Sequence, residues 1–160
     1  MTIIGNKQSI GFEIGDYTDD SKVYRKIIFW VGSNILNPYD DVVYLPAFVN
    51  GLDKEITRLS RYSFVNEIAT NLDNREAFYF LKDRLNHGFH RVLIYDIALP
   101  SAICFYLEHK NSGYILTSFF GDTYEDHLLK DEVFKTQIDK DLYLKTIKQL
   151  REVIPNPYYD

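Results

Sequence analysis

Cysteine is almost absent: a single residue, Cys104, stands in the apolar string Ala102-Ile103-Cys104-Phe105-Tyr106. It cannot close an internal disulfide, so packing and hydrogen bonds must hold the fold. The residue itself reads as a small buried hydrophobe in a reduced compartment rather than as a catalytic thiol. Positive charge is also short. Lys and Arg number 18 against 23 Asp and Glu, for a net charge of −5 and a pI near 5.3. That balance repels phosphate backbones at long range, which argues against direct nucleic-acid binding and makes a basic protein a natural partner. No apolar run approaches the ~20 residues of a membrane-spanning helix. The opening Met1-Thr2-Ile3-Ile4-Gly5-Asn6 lacks the basic start and apolar centre of a secretory signal, so the expectation is a cytosolic protein without a membrane segment.

Signatures of cofactor chemistry are missing too. There is no G-x-x-x-x-G-K-[ST] or G-x-G-x-x-G phosphate loop and no G-x-S-x-G nucleophile elbow. His87, His90, His109 and His127 include no pair at the i, i+4 spacing of a helical zinc motif, so neither metal nor cofactor is expected. His87 and His90 flank a helix stop, where a polar side chain near exposed carbonyls is the simpler explanation.

What is present is an ordinary globular composition, with 46% hydrophobic and 26% charged residues in 160, enough for one domain spanning 1–160 that folds without metal or disulfide staples. Aromatics are in excess. Thirteen Tyr, eleven Phe and one Trp lift their share to 16%, and Tyr suits both sheet packing and partly wet interfaces.

Residues 10–17 alternate, with Ile10, Phe12 and Ile14 opposed to Gly11, Glu13 and Gly15, the period of a half-buried strand. A polar turn at Asp16–Ser21 and a β-branched, aromatic run from Val23 to Val31 complete a hairpin, in which Trp30 reads most simply as core packing. Leu45, Phe48, Val49, Leu52, Ile56 and Leu59 form one helical stripe with Pro46 in its first turn. The piece Tyr62–Leu72 is a short helix or a loop. A second helix begins at Asn74, with Phe78, Leu81 and Leu85 on one side. Strands are predicted at 91–96, 102–109 and 113–120, the last two joined by a tight turn, with a shorter one near 133–137. A closing helix carries Tyr143, Ile147, Leu150 and Ile154, starts near Asp139 or Asp141, and ends before Pro155. The pattern predicts an α+β fold in which a mostly antiparallel sheet packs helices on one face.

Carboxylates are grouped: Asp16, Asp19 and Asp20; Asp40 and Asp41; Asp122, Glu125 and Asp126; Asp131 and Glu132. Adjacent acids in polar loops are normally both ionised, unlike a catalytic pair with separated pKa values. Several have a tyrosine beside them, Tyr17 with Asp19 and Asp20, Tyr39 with Asp40 and Asp41, Tyr124 with Glu125 and Asp126, a pairing suited to a protein interface. Asp40 and Asp41 serve equally well on paper as helix-start devices.

Phe29-Trp30-Val31-Gly32, then Asp40-Asp41-Val42-Val43-Tyr44-Leu45 and the helix through Leu59, together with Ile3-Ile4-Gly5-Asn6 and the strand Ile10–Ile14, resemble the immunity proteins of bacterial contact-dependent growth inhibition (CdiI type). The resemblance is strongest over residues 1–59. It implies a non-enzymatic antitoxin that binds the C-terminal domain of a CdiA-type toxin delivered by a neighbouring cell, commonly covering a nuclease active site. The candidate toxin-binding residues, chosen on local chemistry, are Asp19, Asp20, Tyr39, Asp40, Asp41, Asp122, Tyr124, Glu125 and Asp126. Two other readings remain open here: a carboxylate- or metal-dependent hydrolase built on Asp122 to Asp126 with His127, and an acidic regulatory module for a basic partner.

Overall fold

The computed structural model describes residues 1–38, 41–83, 89–92, 94, 102–119 and 132–158. The N-terminal strands β1 (Thr2–Gly5), β2 (Ile10–Tyr17) and β3 (Tyr24–Val31) form an antiparallel meander. The short strands β4 (Asn34–Ile35) and β5 (Val42–Tyr44) share the remaining edge of β3. Gly32 (φ 57°) and Ser33 (φ 68°) are both left-handed, which gives the tight two-residue turn from β3 to β4.

Register decides which residues meet the core. Ile10 lies opposite Val31, Phe12 opposite Phe29 and Ile14 opposite Ile27, and all six are buried. Helix α1 (Leu45–Arg61) lays Leu45, Phe48, Val49, Leu52 and Leu59 on that face. The rings of Phe12, Phe29 and Phe48 meet edge-on at 5.5 and 5.6 Å. The last helix, α4 (Lys140–Val153), packs beside α1 and adds Tyr143, Ile147 and Leu150. Its N-cap is Asp139, whose carboxylate accepts the Leu142 N–H at 2.8 Å.

A second antiparallel sheet consists of β6 (Ala102–His109), β7 (Ser112–Phe119) and β8 (Val133–Gln137). Its residues divide between two cores. Cys104, Tyr106, Ile115 and Phe119 join the main core, whereas Phe105, Leu107, Tyr114 and Leu116 pack with Ala69, Ala77, Phe78 and Leu81. The latter come from α2 (Glu67–Thr70) and α3 (Asn74–Asp83), which cover the far face. Burial on both faces explains why β7 is buried almost throughout, while β3 alternates.

The antiparallel α+β architecture is the expected one, and the strands divide into two sheets. The run from Arg91 is represented by an isolated bridge between Arg91 and Phe105, flanked by hydrogen bonds from Val92 N–H to the Cys104 carbonyl and from Tyr106 N–H to that of His90. Ile94 of that run is helical rather than extended, and its residues 93 and 95–96, with Leu85, lie outside the described residues. Trp30 is on the face opposite Phe29 and Val31, half-buried, and is not core packing. The helix-start role does not hold for Asp41 either: β5 intervenes, and Tyr44 is the N-cap of α1, without a side-chain cap bond.

Between β4 and β5 the edge of β3 would lack partners at Ile27 and Phe29. Asn37, 4% exposed, fills the gap: its Oδ1 accepts the Phe29 N–H at 2.9 Å and its Nδ2 donates to the Ile27 carbonyl at 2.7 Å. The Leu36 N–H donates to the Phe29 carbonyl, and the chain returns where the Asp41 carbonyl accepts the Ile27 N–H at 2.7 Å. One side-chain amide thus stands in for a strand residue. Replacing Asn37 by Leu strands two buried backbone groups and should cost about 2–4 kcal/mol in equilibrium urea unfolding. A loss below about 0.5 kcal/mol would show the amide to be dispensable.

Glu55 sits within the apolar stripe of α1 at 1% exposure. Its carboxylate accepts the Tyr143 hydroxyl at 2.9 Å and the Arg58 guanidinium at 2.8 Å, and Arg58 also donates to the carbonyls of Arg91 (2.6 Å) and Phe89. The pair therefore ties α1 to α4 and to the segment entering the second sheet. Beside it, burial lowers the pKa of His90 below 6.5, opposed by the bond to the Tyr106 carbonyl and reinforced by the Arg58 charge. A base whose folded pKa is depressed destabilises the fold when protonated, so stability should be full above pH 6.5 and fall as pH drops below it. His90→Gln should flatten this part of the curve of unfolding midpoint against pH, and an unchanged slope would assign it to other groups.

Candidate functional site

Two of the acids singled out from sequence, Asp19 and Asp20, are exposed in the turn between β2 and β3. Asp19 organises that turn, accepting the Ser21 hydroxyl at 2.6 Å. The turn lies at the end of the sheet where Tyr24 pairs with Tyr44. Asp41 immediately precedes β5, its carbonyl bonded to the Ile27 N–H and its carboxylate 3.9 Å from Lys26 Nζ. All three therefore border β3. Tyr39, Asp40, Asp122, Tyr124, Glu125 and Asp126 lie outside the described residues, as does His127. Tyr17 packs partly against the main core, with the Arg25 guanidinium 4.9 Å from its ring centre.

Between these acids runs a surface that no helix covers among the described residues. The face of the first sheet turned away from α1 and α4 carries Ile3, Glu13 and Ile28 in one row across the strands, and Gly11, Trp30 and Ile35 in the next. Lys26 with Val42 and Tyr24 with Tyr44 extend it along β3 and β5. Ile3 is 55% exposed, Val42 40%, and Tyr24 and Tyr44 41% each. A cavity of about 260 Å³ opens beside it, lined by Ile28, Ile35, Asn37, Pro38 and Asp41, so the acidic turn adjoins the apolar face.

Several of these side chains are held by contacts within the chain. Trp30 Nε1 donates to Glu13 Oε1 at 2.8 Å, the same oxygen pairs with Lys7, and Lys7 Nζ lies 4.5 Å over the Trp30 ring. Gly11 makes that possible, since a Cβ there would stand 3.0 Å from the backbone of Asn6 and Lys7, which fold over the sheet. Glu13 is consequently 8% exposed although it points away from the core. At the other end the Tyr44 and Tyr158 hydroxyls are 2.9 Å apart, and the Tyr24 ring lies 5.3 Å from that of Tyr44. The bond to Tyr158 raises the Tyr44 phenol above its ordinary pKa.

The sequence held the signal for this surface in the parity of β3: Tyr24, Lys26, Ile28 and Trp30 alternate with Ile27, Phe29 and Val31. Among the described residues no group of three or more His, Cys, Asp or Glu is arranged to hold a metal ion, and no helix is long and apolar enough to cross a membrane.

These features define a class: an antiparallel α+β domain of two sheets, one covered by helices on a single side. A crystal structure of CdiI from Burkholderia dolosa AUO158 has this fold, matching with a TM-score of 0.67 over 93% of this chain and 97% of that one, at 11% sequence identity. At such identity the likeness is one of fold. No family model matches the sequence, and no curated protein matches it.

Proposed function

We propose that this chain is an immunity protein: a non-enzymatic antitoxin that binds a cognate contact-dependent growth inhibition toxin domain in the cytoplasm and neutralises it. The observation that carries this reading is the fold shared with CdiI along 93% of the chain, in agreement with the sequence resemblance over residues 1–59. The chemistry is compatible with it. A chain of net charge −5 approaches a cationic surface faster than a neutral one would, and a nuclease toxin is cationic where it holds its polyanionic substrate.

The mechanism is steric and electrostatic occlusion. Asp19, Asp20, Asp40 and Asp41, with Tyr39 and the group Asp122, Tyr124, Glu125 and Asp126, meet Lys and Arg side chains around the toxin's active-site groove, and the bulk of the domain then excludes substrate. No group on this protein needs to react.

Co-expression with the toxin domain encoded by the neighbouring reading frame should restore growth, and the two chains should co-purify. Continued growth arrest together with failure to co-purify would overturn the immunity assignment. Asp40→Asn with Asp41→Asn should slow association roughly threefold to tenfold at low ionic strength and flatten its salt dependence, with a smaller change in dissociation. Identical association rates across a salt series would remove that turn from the contact.

A further inference from the structure

We propose that the toxin domain docks on the uncovered face of the first sheet, anchored by Trp30, Val42 and the Tyr24–Tyr44–Tyr158 group, with the acids as a steering rim. This deepens the immunity reading and rests on it. The two sheets are covered differently. Both faces of the second sheet are packed, one on the main core and the other under α2 and α3, whereas helices cover only the inner face of the first among the described residues. Exposed apolar groups gather on its outer face, where Ile3, Tyr24, Val42 and Tyr44 are each at least 40% accessible. Burying such a patch against a partner supplies the favourable term that surface acids alone do not.

The anchors are also pre-set. Trp30 is fixed by Glu13 and Lys7, Tyr44 by Tyr158, and Tyr24 by its contact with Tyr44, so their rotamers lose little freedom on binding. Charge selects a basic occupant. Glu13 already has Trp30 and Lys7 on one oxygen, but Asp41 holds Lys26 at 3.9 Å, with the two side chains 40% and 57% exposed, a loose pair that a toxin Lys or Arg can replace. Asp19 and Asp20 stand exposed at the tyrosine end. A cationic domain with an apolar centre therefore meets acids on the flank of β3 and aromatics across it.

Trp30 is the chain's single tryptophan, so biosynthetic 5-fluorotryptophan labelling gives one 19F resonance on the proposed face without any substitution. Titrating the unlabelled toxin domain should shift or broaden it, saturating at one toxin per chain. Val42→Asp and Tyr44→Ala should each weaken binding at least about tenfold, while Ile68→Asp, 57% exposed on α2, should stay within about twofold. Toxin binding with an unmoved resonance and unaffected variants would overturn this face and leave the immunity reading standing. No binding by the unmodified chain would overturn both. A resonance that shifts with the concentration of the chain alone would assign the face to a second copy and overturn the toxin assignment.

Discussion

Strand β3 has to satisfy hydrogen bonds along two edges, and much of the molecule follows from how its second edge is completed. One edge pairs with β2 from Ile10–Val31 through Ile14–Ile27 and, past a register shift, at Tyr17–Arg25. The other is shared by two short strands separated by an excursion, and it closes because the Asn37 amide bonds Ile27 and Phe29 while the Asp41 carbonyl returns to Ile27. A bare gap would leave buried backbone groups of the central strand without partners, which a marginally stable domain tolerates poorly. Fixing the excursion at both ends places Asp41 beside Ile28 and Ile35 on the outer face. It also delivers the chain through β5 into α1, which starts as soon as β5 ends.

Helices α1 and α4 then settle on one side of β3 only. Their apolar stripes match the row Ile27, Phe29, Val31, and the buried Glu55–Tyr143 bond locks them to each other. The second sheet takes α2 and α3 on its far side. Among the described residues the outcome is a well-packed body with helices on one face only of the first sheet, an arrangement that suits the proposed docking of a partner there. Preorganised aromatics and a nearby acidic edge are the physical ingredients of fast and durable association, and neither requires a reactive group.

Much of the frame was legible because it is written in local periodicity. The alternation of Ile10, Phe12 and Ile14, the stripe from Leu45 to Leu59, and Asp139 before the last helix each depend on neighbours a few residues away. The long-range terms were not legible. Asn37 looks like a turn residue until β3 is placed beside it, and Glu55 looks like a surface acid until Tyr143 arrives from the far end of the chain. Trp30, between Phe29 and Val31, reads as core until its parity with Lys26 and Tyr24 turns it outward. Asp41 resembled a helix cap because a three-residue strand between it and α1 is too short to show a period. Of the acids chosen from sequence, Asp19, Asp20 and Asp41 come to border one strand, and that convergence is a property of topology rather than of spacing.

The central claim is that the uncovered sheet face is the working surface, and hydroxyl-radical footprinting of the purified complex with the toxin domain tests it most directly because tyrosine and tryptophan side chains label readily. The account predicts that Tyr24, Trp30, Tyr44 and Tyr158 lose reactivity on binding while Val65 and Ile68, also exposed but beside the second sheet, keep theirs. Protection of Val65 and Ile68 with the four aromatic residues unchanged would contradict it.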